Sequence, residues 1–215
     1  MAKGLPRLHV VDPIAEIRNL CQVAESVVVG IDPGMSGAIA VLPVDPKLVG
    51  VVFDMPVQYE ISKTVKKGKT ITGKRGRYDV HAIIDILSPE NFGNAGVTFV
   101  VEGATPRPTD TAKTAFSVGM GVGMWPIFFA AYGYAHEIIY PVVWKRQMSL
   151  LKQNKGASQR LATRLFPKLS GYFRSNSDDG RAEAVLIAES YLRRLRSGGV
   201  ASAPQEGTHG QENQD

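Results

Sequence analysis

The chain has one cysteine, Cys21, in 215 residues, which excludes an intrachain disulfide and any cysteine-built zinc centre. Histidine is scarce too: four residues, scattered, none with a sequence partner that would make it a ligand. No apolar run is expected to approach the roughly 18 residues a membrane span requires. The N-terminus has neither an apolar leader core nor the acid-poor, Arg/Ser-rich look of an organelle transit peptide. A soluble cytoplasmic protein is therefore expected, without secretion or transit signal and with no membrane partner. Internal repeats are absent. Acid is absent from one stretch in particular, Ser62 to Arg77, where Lys63, Lys66, Lys67, Lys69, Lys74, Arg75 and Arg77 accumulate.

Against those absences stands an apolar fraction of 44%, enough for one ordinary domain with a real core. Net charge is +5, which favours a polyanionic partner. The basic stretch 62–77, loosened by Gly68, Gly73 and Gly76, reads as a phosphate-contacting loop or hairpin. Its bland alternative is a solvated surface loop, which would ordinarily mix both signs of charge.

Residues 1–25 read as an N-terminal extension. Asp12-Pro13 gives an N-cap and a proline at the first helical position, followed by Ile14, Ile17, Leu20, Cys21 and Ala24 at helical spacing. The β-branched runs at 26–32, 37–42 and 49–54 predict an antiparallel meander. A helix over 79–87, an Asn/Gly turn at 91–96 and a strand at 97–103 follow. That strand is expected parallel to the first, because a helix lies in the connection and both strands are apolar throughout. A helix from about 111 to 124 is expected to break or kink at Pro126, with 127–132 as a continuation. A strand at 137–140 precedes helices at 141–150, 156–165 and 179–196. From 197 to 215 the polar, aperiodic composition predicts a disordered tail. The order β-β-β-α-β-α-β-α across 26–196 predicts an α/β, RNase H-like fold: a mixed five-stranded sheet flanked by helices, with the basic insert 62–77.

Carboxylates sit where the pattern makes them expensive. Val27-Val28-Val29-Gly30-Ile31 ends on Asp32, and Val97-Thr98-Phe99-Val100-Val101 ends on Glu102. An acid at the end of a buried strand needs a cation or a hydrogen-bond network. Asp178, Asp179 and Glu183 open the last helix, with Asp179 and Glu183 at i and i+4 on one face. With so little histidine and cysteine, the metal these acids suit is Mg²⁺, with Mn²⁺ as a substitute. Two such ions roughly 4 Å apart would serve phosphodiester hydrolysis. Taken singly, Asp32 could start a turn, and Asp178 and Asp179 could be a cap and a dipole-complementing acid. Trp144-Lys145-Arg146 could place Lys145 near a scissile phosphate or simply begin a helix. Arg181 could bind phosphate or pair with a neighbouring carboxylate. Lys152, Lys155 and Arg160 extend the positive surface. Tyr78, Phe92 and Phe116 could stack on bases, although such residues are more often core.

Gly30-Ile31-Asp32-Pro33-Gly34 with Ser36-Gly37-Ala38, Val101-Glu102, Trp144-Lys145-Arg146 and Asp178-Asp179-Gly180-Arg181-Ala182-Glu183-Ala184 together resemble the RuvC-type Holliday junction resolvases. The likeness is to the phage RuvC-like proteins and the plant chloroplast resolvase, and it spans about residues 27–194. It implies a homodimeric, Mg²⁺-dependent endonuclease of a bacterial or phage-infected cell. Such an enzyme cuts two opposing strands of a four-way DNA junction symmetrically, leaving ligatable ends. By the resemblance, Asp32, Glu102, Asp178 and Glu183 match the metal carboxylates. Asp179 falls where the plant relatives carry a histidine that acts as base or orients water. Bacterial RuvC spaces its last two acids differently, so the choice between Asp178 and Asp179 stays open. Lys145, Arg146, Arg181, Arg107 and the cations of 62–77 are the expected DNA contacts. The basic insert and the N-terminal helix depart from the family's minimal pattern. Other readings are an RNase H-like nuclease of another specificity (a ribonuclease H or a transposase core), a sugar-kinase or actin-like ATPase, and a non-catalytic junction-binding module. The ATPase architecture duplicates the fold, for which 215 residues are too few.

Overall fold

The structure, a computed structural model, describes residues 12–66, 69–104, 108–154, 156–175 and 178–198. Five strands form the central sheet: β1 (Ser26–Asp32), β2 (Ala38–Pro43), β3 (Val51–Asp54), β6 (Gly96–Glu102) and β7 (Ala135–Ile139), in the order β3-β2-β1-β6-β7. The first three are antiparallel neighbours, and β6 and β7 continue the sheet parallel to β1. This is the mixed sheet of an RNase H-like fold. A second sheet holds only β4 (Val57–Lys66) and β5 (Lys69–Tyr78).

Strand alternation sends Val27, Val29 and Ile31 to one face of the sheet, where they meet Ile39, Phe99, Trp125 and Phe129. Val28, with Ala40, Leu42 and Val100, faces the other side. The first face is covered by α1 (Pro13–Cys21), α2 (Val80–Ile86) and α4 (Ala112–Tyr132); the second by α5 (Pro141–Gln147), α6 (Ala157–Leu165) and α7 (Asp179–Arg196). Side-chain caps start three helices: Asp12 accepts from Ile14 N–H, Asp79 from Ala82 N–H, and Thr111 from Thr114 N–H.

Some expectations required correction. A short helix, α3 (Pro89–Phe92), runs into the start of the turn expected at 91–96; Pro89 sits at its start and Phe92 is buried. A 3₁₀ segment, Pro167–Phe173, anchored by Leu169 and Phe173, was not foreseen. Helix α4 runs through Pro126 without a break, because Trp125 and Phe129 on either side of it are buried and stacked with ring centroids 6.0 Å apart. The expectation that no apolar run is long enough for a membrane span also fails: Thr114–Tyr132 is 19 residues and, by length and composition, could cross one. Only 17% of that window is buried, although Trp125 and Phe129 fix it to the sheet. Residues 1–11 and 199–215, which hold most of the extension and tail, lie outside the described residues, as do Lys67, Arg107 and Lys155.

Candidate active site

The register places two acids side by side. Ile31 pairs with Val101 across the parallel β1–β6 ladder, so the next residues, Asp32 and Glu102, leave adjacent strand ends together. After Asp32 the chain turns sharply into β2, with Gly37 N–H donating to Gly34 C=O at 2.8 Å. The turn is tight enough that a Cβ on Gly37 would lie 2.2 Å from the Asp32 carbonyl oxygen. Gly34 N–H, at 3.2 Å, donates to Asp32 Oδ1.

Small residues bring α7 down onto this turn. A Cβ on Gly30 would sit 2.3 Å from Ala184 O and 2.7 Å from Ala188 N, and one on Gly180 would sit 2.5 Å from Ser36 O. Only glycine at 30, facing Ala184 and Ala188, and at 180, facing Ser36 and Gly37, permits such an approach. The first turn of α7 is thereby pinned over the end of β1. The charges of both Asp179 and Glu183 act on Asp32, and that of Glu183 acts on Glu102.

The electrostatics follow from this crowding. Burial, offset by the Gly34 N–H and reinforced by Glu183, pushes the Asp32 carboxyl up to about 6. Burial also pushes Glu102 up to about 7, against the hydrogen bond from Trp144 and with the charges of Asp32 and Glu183 adding to it. Trp144 is fully buried, and its Nε1 donates to Glu102 Oε1 at 2.8 Å. Lys145 Nζ lies 2.9 Å from Glu183 Oε1 and 4.9 Å from the Trp144 ring centroid. Ser158 Oγ donates to the same Glu183 oxygen at 3.2 Å. Asp179 Oδ1 is buried with no hydrogen-bond partner. A cavity of about 260 Å³ opens beside the cluster, lined by Lys145, Leu150, Ser158, Asp179 and Glu183 among others.

Among the described residues, no three His, Cys, Asp or Glu side chains are gathered into a ready-made metal cage. Glu102 instead accepts from Trp144, and Glu183 pairs with Lys145 and accepts from Ser158. The donor set nevertheless suits a hard cation. It is all oxygen, two acids are pushed towards neutrality by burial, and one buried carboxylate oxygen lacks a partner.

The expected residues divide. Asp32, Glu102, Asp179, Glu183 and Lys145 converge. Asp178, the helix N-cap, is engaged elsewhere: its Oδ2 accepts Ser175 N–H at 2.7 Å and its Oδ1 lies 3.8 Å from Arg181. Arg181 is likewise held rather than free, its Nε donating to Asp54 Oδ1 at 2.6 Å and a second nitrogen to Oδ2. That pair ties α7 to the end of β3. Arg146, Lys63 and Lys69 are exposed. Arg77 is exposed but pairs with Glu60 at 2.9 Å. Lys66, Lys74 and Arg75 have only their backbone positions described, in β4 and β5. Phe92 is core, Phe116 is exposed, and Tyr78 donates to Pro33 C=O at 2.7 Å. Sequence reading missed Asp54, the bond from Ser158 to Glu183 and the indole bond from Trp144 to Glu102. Only the buried, polar-tipped character of a tryptophan offered a signal for the last.

No family model matches the chain, and no curated protein matches it. Among solved structures, the chain is similar to Thermus thermophilus RuvC in complex with a Holliday junction substrate, at 16% identity and a TM-score of 0.48. A second Thermus thermophilus RuvC structure is similar at 16% identity and a TM-score of 0.45. Each likeness covers 80% of this chain and 97% of the other.

Proposed function

We propose that this chain is a metal-dependent, structure-selective endodeoxyribonuclease that resolves four-way DNA junctions by paired symmetric strand cleavage. The observation that carries the reading is the convergence of Asp32 and Glu102, half-desolvated on neighbouring strand ends, beneath Asp179 and Glu183 of α7. Two strand-end acids raised by burial and by each other's field mark a functional site more often than a structural one.

Asp32, Glu102, Asp179 and Glu183 would hold a pair of Mg²⁺ ions, with Mn²⁺ as substitute. When bound, such ions supply charge neutralisation at the scissile phosphate and a more acidic attacking water. The side chains do the rest. Asp32, whose charge couples to those of Glu102, Asp179 and Glu183, would be one of the residues holding the ions. Trp144 fixes the rotamer of Glu102 through its indole N–H. The partnerless Oδ1 of Asp179 is available to orient water or metal. Lys145 offsets the acids through Glu183 and is positioned to turn its ammonium to a non-bridging phosphate oxygen. Asp178, tied to Ser175 and Arg181, organises the helix start.

Paired cutting calls for two copies of the chain. The face suited to bring them together is the outer side of α4, where Phe116, Met120 and Ile127 are exposed and Gly119 and Gly123 have open space around them.

The test is incubation of the purified chain with Mg²⁺ and a labelled immobile four-way junction, beside matched linear duplex, a flap and an RNA–DNA hybrid. Symmetric paired nicks on the junction alone, absent in chelator, are expected. Cutting confined to the hybrid would make the chain a ribonuclease H, and no cutting of any substrate would leave a binding protein.

A further inference from the structure

The β4–β5 ribbon pairs only with itself and stands apart from the main sheet. It is rooted beside the acids. Tyr78, at its base, donates to the carbonyl of Pro33, the residue after Asp32, and the Asp32 charge is felt at the Tyr78 hydroxyl. Gln58 Nε2 donates to Asp79 Oδ2 at 2.9 Å, and Asp79 N–H to Pro56 C=O at 2.9 Å, closing that root. From there, ten-residue strands extend for about 33 Å.

Cross-strand register sorts the ribbon into two unlike faces. Val57, Tyr59, Ile61, Lys63 and Val65 share one, opposite Tyr78, Gly76, Lys74, Thr72 and Thr70. On the other, Gln58, Glu60 and Lys66 are opposite Arg77, Arg75 and Lys69. The first face exposes apolar surface to an unusual degree: Tyr59 is 56% exposed, Ile61 75% and Val65 69%. Tyr59 lies across Gly76, the one position opposite it that offers no side chain. A two-stranded ribbon is marginal in water on its own, and such a stripe needs an occupant. A second ribbon is a poor one. Residues 57–78 carry seven cations and a single acid, Glu60, so two copies would repel.

We infer that this ribbon engages opened DNA at the branch. Tyr59, Ile61 and Val65 lie against the faces of unpaired bases, and the more basic opposite row lies along phosphate. Aromatic and aliphatic side chains gain from unstacked bases without reading sequence, and the surrounding positive charge selects nucleic acid over protein. The inference rests on the nuclease reading above, and it adds the element that separates a branch from plain duplex and delivers the strand to Asp32.

The test uses the full chain in chelator, where cutting stops, with a four-way junction carrying 2-aminopurine beside the crossover. The parent is expected to raise the fluorescence on binding. Tyr59→Ala/Ile61→Ser/Val65→Ser is expected to lose most of that rise and to bind the junction about tenfold or more weakly, while linear-duplex affinity and its salt slope stay within twofold. The single variants Tyr59→Ala and Ile61→Ser, each expected to show part of the loss, guard against misfolding of the triple. Variants that match the parent in fluorescence and affinity overturn the inference. So does loss of self-association in the ultracentrifuge with DNA binding unchanged. A parent that opens the branch in chelator but never cuts in Mg²⁺ removes the nuclease reading and keeps this one. A parent that cuts, with variants indistinguishable from it, does the reverse.

Discussion

Helices α7 and α4 are the two longest among the described residues, 18 and 21 residues, and they invert what their sequences suggest. Helix α7 carries seven charged residues yet is buried from Ala184 to Leu192, with Arg193, Arg194 and Arg196 at its outer end. Helix α4 has no charge after Lys113, yet leaves Phe116 70% and Ile127 72% exposed. Side-chain size, more than hydropathy, decides the difference. Alanines on α7 meet Gly30 at backbone contact distance, and Gly180 meets the turn at Ser36. On α4 only Gly121 makes a comparable approach, to Tyr78 and Pro33, whereas Gly119 and Gly123 face open space. The tight helix positions acids; the loose one presents surface.

Breaking the tight contact is expected to have the largest stability effect. Gly30→Ala puts a Cβ within 2.3 Å of a backbone oxygen on α7, and should destabilise by about 3 kcal/mol in urea unfolding. A parent-like midpoint would mean α7 is not seated as described.

The charge contrast yields a pH effect of the next size. Asp32 and Glu102 titrate at about 6 and about 7 in the folded, metal-free chain, above their unfolded values of 3.8 and 4.5. The folded state therefore holds more protons than the unfolded one between about pH 4 and 7. In chelator, the stability contributed by these two acids should be full below that window and be lost as pH rises through it, by about 2 kcal/mol or more. Asp32→Asn should flatten the fall and stabilise the metal-free chain at pH 8. A parental midpoint that does not change from pH 5 to 8 would contradict the burial of these acids.

The smallest expected effect comes from the loose helix. Gly123→Ala should stabilise the fold by about 0.5–1 kcal/mol, since nothing lies within 4 Å of the added carbon and helix propensity favours alanine. Destabilisation would place a neighbour there. On the same helix, the pairing proposed above predicts that Phe116→Glu/Ile127→Glu lowers the mass seen in light scattering while leaving the thermal midpoint within a few degrees. An unchanged mass would move the contact between copies elsewhere.

Much of this was readable beforehand. The β-branched runs ending on Asp32 and Glu102 announce buried strands with costly ends, and parallel pairing makes those ends neighbours. The i, i+4 spacing of Asp179 and Glu183 puts both on one face of α7. What was not readable depends on distant contacts. The bond from Trp144 to Glu102 spans 42 positions, and the pairing of Arg181 with Asp54 spans 127. Which of Asp178 and Asp179 comes near Asp32 depends on where the helix begins. Asp178 as cap turns to Ser175, and Asp179, inside the first turn, turns to the sheet. The acid-free run 62–77 indicated a phosphate contact, but its apolar face only emerges from cross-strand register, because Tyr59 and Ile61 lie outside the basic run itself.

The central claim is that Asp32 joins acids from two strands and a helix into one divalent-cation site used to cut DNA. Titration calorimetry of Mn²⁺ into the full chain and into Asp32→Asn, paired with junction cleavage by the same samples, tests it most directly. The account predicts that the parent binds Mn²⁺ and cuts, and that the variant loses the binding isotherm and slows cutting by about 10³-fold or more while still binding the junction in chelator. A variant that binds Mn²⁺ as the parent does and cuts as fast would contradict it.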